Sequence, residues 1–414
     1  MRAVIIGTGP AGITAAATMR RLDPAGSVVA LSAEPYPPYS PAALADHFLT
    51  GRKQTLYWKG EDVASRLGID ERREAVVIAV DTDSHDVLLS DGTSIPYEGL
   101  IIASGSRLYA PLEGAQLSGI LDFKSLRTAT ELIGRVRQGE ARTAIVVGDG
   151  LIGIEVSLLL ADLGVDVTVI GQETCIMPRI LDPATSAIAG AELVARGVTL
   201  RLGVKADAFV GTASVSGVRL ADGTVLNADL VIAATGVKPN TEFLDGSAIR
   251  IGCGVQVDNG LRTSVDGIVA AGDVTETADW LTGEPAVNAI FPNAVMQAPI
   301  AAANLLGANR LYDGAQSMNS LKHLGVPIVT IGTTDAPDEI LRWQSNGALR
   351  SVYLRGSTII GAQLVGDIHA IGVYRSLMLK RADVSSFGHH LVEPTFGFGD
   401  IAWDALRSAP VAHR

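Results

Sequence analysis

Residues 3–12 read AVIIGTGPAG, and residues 144–153 read AIVVGDGLIG. Each is a short apolar run that ends in the pattern G-x-G-x-x-G. A run of this length, stopped by glycine, reads as a buried strand. A longer apolar stretch follows each loop and reads as a helix. The first is Ile13-Thr14-Ala15-Ala16-Ala17-Thr18-Met19, the second Ile154-Glu155-Val156-Ser157-Leu158-Leu159-Leu160. The loops begin at Gly7 and Gly148, a domain's length apart, so the chain carries two strand–loop–helix units.

The duplication extends outward. Leu100-Ile101-Ile102-Ala103-Ser104-Gly105 is matched by Leu230-Val231-Ile232-Ala233-Ala234-Thr235-Gly236. Each follows a segment with an Asp-Gly turn, at Asp91-Gly92 and Asp222-Gly223, that reads as a hairpin. The last hundred residues differ. They alternate apolar and polar residues, as in Ser351-Val352-Tyr353-Leu354-Arg355, which predicts an antiparallel sheet with a helix near 368–380.

Composition narrows the class. The 414 residues suffice for two or three domains, and 47% are hydrophobic, enough for large cores. A net charge of −11 argues against a nucleic-acid partner. No apolar run is long enough to span a membrane. Arg2 leads straight into Ala3-Val4-Ile5-Ile6 and a glycine loop, unlike a signal peptide, so a soluble cytoplasmic protein is expected. Cys175 and Cys253 are the only cysteines. Two thiols are too few for an iron–sulfur cluster, and these are not spaced as a redox pair.

The loops carry the chemistry. Gly7 permits a tight turn, Gly9 lets the backbone approach a pyrophosphate, and Gly12 lets the helix pack on the strand. Pro10 and Ala11 complete the loop, and the helix N-terminus faces the phosphates. Glu34 lies about 20 residues beyond Gly12, where a carboxylate accepts from an adenosine ribose. The second loop, Gly148, Gly150, Leu151, Ile152 and Gly153, repeats the plan. Its following strand ends in Gly171-Gln172-Glu173, so glycine holds the expected acidic position and Glu173 comes late. No Lys or Arg precedes Arg179 to meet a 2′-phosphate, which leans the site toward NAD and leaves NADP open. A third run, Gly267-Ile268-Val269-Ala270-Ala271-Gly272-Asp273, places a carboxylate at a strand end, where it can bond a hydroxylated chain such as ribityl.

Through GTGPAG at 7–12, ASG at 103–105, GDGLIG at 148–153, ATG at 234–236 and AAGD at 270–273, the chain resembles the two-dinucleotide-binding-domain FAD/NAD(P) oxidoreductases. These include glutathione-reductase-like enzymes, NADH oxidases, ferredoxin and rubredoxin reductases, and NAD(P)H-nitrite reductases. The resemblance implies an α/β fold of two Rossmann-like three-layer domains plus a C-terminal α+β domain. The FAD domain would be 1–112 and 240–314, the inserted NAD domain 113–239, and the C-terminal interface or dimerisation domain 315–414. It implies FAD at Gly7, Gly9, Pro10, Ala11, Gly12, Glu34, Ser104, Gly105, Gly272 and Asp273. It implies NAD at Gly148, Gly150, Leu151, Ile152, Gly153, Thr235 and Gly236, with Glu155 near the nicotinamide.

The departures narrow the function. Where disulfide reductases and NADH oxidases place cysteine beside the flavin, this chain reads Pro37-Pro38-Tyr39-Ser40-Pro41-Ala42-Ala43-Leu44-Ala45-Asp46-His47. The lysine of ferredoxin reductases falls on Asp46, so Asp46 and His47 are either surface polar residues or one of them adjusts flavin protonation. The segment at 39–44 and the C-terminal sheet look closest to the nitrite-reductase branch. They also resemble NADH-linked flavin subunits, such as those of phenylglyoxylate dehydrogenase and tungsten aldehyde oxidoreductase. The resemblance thus implies an electron-transfer subunit that exchanges hydride with NAD(H) through FAD and single electrons with an iron–sulfur partner protein. A stand-alone ferredoxin or rubredoxin reductase or diaphorase, an NADH oxidase and an NADH-sensing flavoprotein are the alternatives. Trp343, Tyr353, Tyr374, Phe396 and Phe398 mark the C-terminal part as a partner or dimer surface, in a homodimer or hetero-oligomer. His389-His390 reads as a surface pair rather than a metal site.

Overall fold

The computed structural model describes residues 1–345 and 347–402. The expected C-terminal domain therefore ends, at 403–414, outside the described residues. Three sheets organise the chain. The first is parallel and five-stranded, in the order Ile268–Ala270, Gly99–Ile102, Arg2–Ile6, Ser27–Leu31, Asp70–Arg72. Its central strands are apolar at nearly every position because both faces are covered. One face carries the helices Pro10–Leu22 and Phe291–Leu305. Alanines line both helices where they meet, at Ala15 and Ala16 on one and at Ala294, Ala298 and Ala301 on the other. The opposite face is covered by the meander Val77–Asp81, Asp86–Leu89, Ser94–Pro96.

The second sheet repeats this plan in the order Thr199–Arg201, Asp166–Ile170, Thr143–Val147, Leu230–Ala233, Ile120–Leu121. Helices Leu126–Arg137 and Leu151–Asp162 cover one face, and the meander Ala206–Gly211, Val215–Leu220, Val225–Asn227 covers the other. Every strand of this sheet lies between two strands of the first in sequence, so the second unit is inserted in the first. The crossing is an antiparallel ribbon, Ser106–Leu108 against Val237–Pro239. Two bonds clasp it: Ser104 Oγ donates to the Asn240 carbonyl and Asn240 Nδ2 to the Ser104 carbonyl, each at 2.8 Å.

The third sheet is antiparallel, in the order Met318–Leu321, Ile328–Gly332, Thr358–Val365, Ala348–Arg355, Glu339–Ser345. The helix Ile371–Leu379 packs on it. Leu321, Ile328, Leu349 and Val365 of this sheet share a core with the second unit. Asp182, which caps the helix Pro183–Ala195, holds the two together. It pairs with Arg342, and its backbone N–H donates to Gln363 Oε1 at 3.1 Å. Phe396 is buried and stacks on Tyr374, whereas Phe398 stands 61% exposed, so of the two Phe396 is a core residue and Phe398 a surface one. Among the described residues no helix is long and apolar enough to cross a membrane.

Candidate functional site

Parallel pairing brings the strand ends of each unit together at its glycine loop. In the first unit the Gly7 N–H donates to the Leu31 carbonyl at 2.8 Å and the Ala103 N–H to the Ile6 carbonyl at 2.8 Å. The Ala271 N–H donates to the Ile102 carbonyl at 3.0 Å, so residues 103–105 and 271–273 border the loop. Gly7 has φ +102°, and a Cβ there would overlap the Ala103 carbonyl. A Cβ on Gly12 would overlap the Gly7 carbonyl. The fold itself requires these two glycines.

Gly9 is different. Its φ is −63°, open to any residue, and a Cβ there would have nothing within 4 Å. The second loop divides the same way. Gly148 and Gly153 are needed by the backbone, while Gly150 has φ −74° and open space around its Cβ position. Each loop therefore keeps one glycine that folding does not need, at the first turn of a helix whose N–H groups point outward. That is a cradle a Cβ would fill, and it fits a pyrophosphate.

Glu34 leaves the neighbouring strand beside the first loop. Tyr39 Oη donates to Glu34 Oε2 at 2.7 Å and accepts from the Leu126 N–H at 2.9 Å. Burial first, then the Glu34 charge, holds the Tyr39 phenol well above its usual range, so it remains a neutral donor. Glu34 Oε1 is buried with no partner, an orphaned acceptor that suits a ribose hydroxyl. At the other border, Asp273 Oδ2 accepts from Ser106 Oγ at 2.8 Å and from Lys124 Nζ at 3.0 Å. Gln297, buried on the helix Phe291–Leu305, accepts from the Gly272 N–H at 2.7 Å and fixes this turn.

Several residues expected at the sites have interactions of their own within the protein. Ser104 spends its hydroxyl on the ribbon clasp, and Thr235 donates to the Tyr109 carbonyl on the same ribbon. Asp46 accepts from Thr55 Oγ1 at 2.6 Å on a part-buried helix face. Glu155 is part-buried in the second loop's helix, where burial pushes its carboxyl up to about 7 against the opposing pull of Lys322. His390 is engaged by Glu393 at 2.9 Å and Asp400 at 3.1 Å. Among the described residues no three His, Cys, Asp or Glu side chains gather to hold a metal. Pro10, Ala11, Leu151 and Ile152 open the two loop helices, and Gly105 and Gly236 turn at the ribbon with φ +69° and +131°.

Lys124 and Gln297 were not legible as site residues, because each reaches the site through a contact distant in sequence, and Tyr39 is fixed beside the nearby Glu34 by the distant Leu126 N–H. Glu173 needs re-reading. The Gly148 N–H donates to the Ile170 carbonyl at 2.9 Å, as that of Gly7 does to Leu31. Counted from these matched bonds, Glu173 stands at the same step as Glu34 and is not late. Asp149, the middle residue of the second loop, carries a buried carboxylate oxygen with no partner.

Comparison with known proteins follows the same outline. A family profile described as pyridine nucleotide-disulphide oxidoreductase matches residues 1–304. The chain is 25% identical over 406 residues to the NADH-dependent phenylglyoxylate dehydrogenase subunit epsilon of Aromatoleum evansii, covering 96% of each. It is 32% identical to a rubredoxin-NAD(+) reductase of Pseudomonas putida, covering 75% of this chain and 81% of that one. A ferredoxin reductase structure from Rhodopseudomonas palustris superposes with a TM-score of 0.87 at 24% identity, over 97% of this chain and 100% of the other.

Proposed function

The chain belongs to the pyridine nucleotide-disulphide oxidoreductase family, and from that premise we propose that it is an electron-transfer flavoprotein serving an iron–sulfur partner. It is an oxidoreductase with FAD and NAD(H) as its cofactors. FAD, when bound, supplies the conversion between two-electron hydride exchange and one-electron transfer.

The observation that carries this reading is the pair of ligand-shaped glycines, Gly9 and Gly150, each at a helix N-terminus of its own Rossmann unit. In our reading the first unit holds FAD. Gly9 admits its pyrophosphate, Glu34 accepts from its ribose, and Asp273 faces its ribityl chain with Lys124 and Ser106 holding the carboxylate in place. The second unit holds NAD(H) at Gly148, Gly150 and Gly153. Glu155 carries its proton up to near neutrality on the helix that follows. The domain limits expected from the sequence, 1–112 with 240–314, 113–239 and 315–414, suit this division of labour.

Two features support a separate one-electron partner. Residues 37–47 contain no cysteine, and Cys175 and Cys253 lie in different units. One relative aligned nearly end to end is named as a dehydrogenase subunit. A stand-alone rubredoxin or ferredoxin reductase is the second reading, favoured by the 32% identity to such an enzyme. Purification from the native source at low salt separates them. Co-purification of an iron–sulfur protein in fixed ratio is the expected result. A lone chain, fully active as an NADH:ferredoxin or NADH:rubredoxin reductase, would overturn the subunit reading.

A further inference from the structure

The second loop reads Gly148-Asp149-Gly150, where the first reads Gly7-Thr8-Gly9. A carboxylate in a phosphate-binding loop repels the phosphate unless it is turned aside. Asp149 is turned aside. Its carboxylate lies against Gly171, with Oδ2 at 2.7 Å and Cγ at 3.0 Å from where a Cβ on residue 171 would stand. Gly171 directly follows the strand Asp166–Ile170, whose last residue is in register with Val147 of the loop strand. The Asp149 carboxylate thus occupies the volume that a side chain at the strand end would fill.

One of its oxygens is left without a partner. Asp149 Oδ2 is buried without a hydrogen-bond partner, which is costly for a carboxylate. Burial first, and last the negative charge of Glu173, raise the Asp149 carboxyl above its usual range against a hydrogen bond from its own backbone N–H. Glu173 itself is exposed, at the step that Glu34 holds in the first unit. Two carboxylates therefore stand where the strand Asp166–Ile170 ends beside the second loop. Ribose hydroxyls are donors and would relieve the buried acceptor. A 2′-phosphate brings only acceptors and negative charge.

We propose that Asp149, from within the glycine loop, is a ribose-binding carboxylate for the dinucleotide of the second unit, and that with Glu173 it makes this site reject a 2′-phosphate. The proposal rests on the reading of the second loop as the NAD(H) site.

The test is calorimetric titration of the FAD-loaded protein with ADP-ribose and with 2′-phospho-ADP-ribose, which reads binding without turnover. Wild type should prefer ADP-ribose. Asp149→Ala should weaken ADP-ribose about tenfold and shrink the preference, because a hydrogen bond to a charged group is lost while repulsion is relieved. Asp149→Gly combined with Gly171→Asp should recover ADP-ribose binding, since the new carboxylate enters the vacated volume. Retained FAD absorbance and an unfolding midpoint no lower than that of wild type confirm that each variant is folded. Unaltered affinities in Asp149→Ala, or equal weakening of both probes, would overturn the role of Asp149. Gly150→Val tests the underlying reading separately. Loss of both probes upholds the second loop as the site, and undiminished binding would overturn that reading and the proposal with it.

Discussion

Gly9 and Gly12 sit three residues apart and do opposite jobs. A Cβ on Gly12 collides with the Gly7 carbonyl, so Gly12→Ala must move backbone and should cost about 3 kcal/mol or more in urea unfolding. A Cβ on Gly9 meets nothing, so Gly9→Val should leave the stability of the FAD-free chain within about 1 kcal/mol. The same variant should lose FAD retention at least about tenfold, read by flavin content after gel filtration, because the side chain fills the cradle. Both glycines and their separate roles were legible from the motif, and φ and the neighbouring carbonyls supply the physical reason. Asp149 and Lys124 were not legible. An aspartate between two glycines and a lysine before a helix cap carry no pattern until the strand ends are brought together.

Glu155 gives a second prediction at this scale. Burial raises its carboxyl from 4.5 to about 7. The folded chain therefore holds more protons than the unfolded one between these values, and stability falls as pH rises through that window. Glu155→Gln should remove this slope. It should be more stable than wild type by roughly 1–3 kcal/mol at about pH 8 and no different at about pH 4. Denaturant unfolding at the two pH values checks both halves of the prediction.

The elements themselves were largely readable. Apolar runs stopped by glycine became the central parallel strands, and alternation at 351–355 became part of the strand Ala348–Arg355. The helix expected near 368–380 runs Ile371–Leu379. What escaped is how the third sheet seats on the second unit, because the contact joins residues far apart in sequence. Asp182 Oδ1 accepts from the Thr185 N–H at 2.7 Å as a helix cap, and its other oxygen meets Arg342. Asp182 is also 6% exposed, so removing it leaves the buried Thr185 N–H without its acceptor, while Arg342, 39% exposed, can turn to solvent. Asp182→Ala loses the cap and the ion pair together and should cost about 2 kcal/mol. Asp182→Asn keeps an oxygen for the cap and should cost visibly less. Urea denaturation of the three proteins, with FAD bound, measures the order.

At the scale of the whole molecule, insertion of one unit in the other sets the geometry of function. The ribbon Ser106–Leu108 with Val237–Pro239 is the crossing, and Lys124, just inside the second unit, reaches back to Asp273 of the first. Tyr39 makes the reverse link, from Glu34 to the N-terminus of the helix Leu126–Arg137. The first glycine-loop region is thereby tied to residues 124 and 126 of the second unit. On the proposed function, in which hydride passes from NADH to the flavin and electrons leave to a protein partner, NADH oxidation should be fast with a one-electron dye and slow with oxygen alone. The most direct measurement is anaerobic stopped-flow mixing of the FAD-loaded protein with NADH, then with the iron–sulfur protein recovered from its native source. The account predicts flavin bleaching at about 10 per second or faster and prompt reoxidation by the partner protein. Slow bleaching, or reoxidation by oxygen but not by that partner, would contradict it.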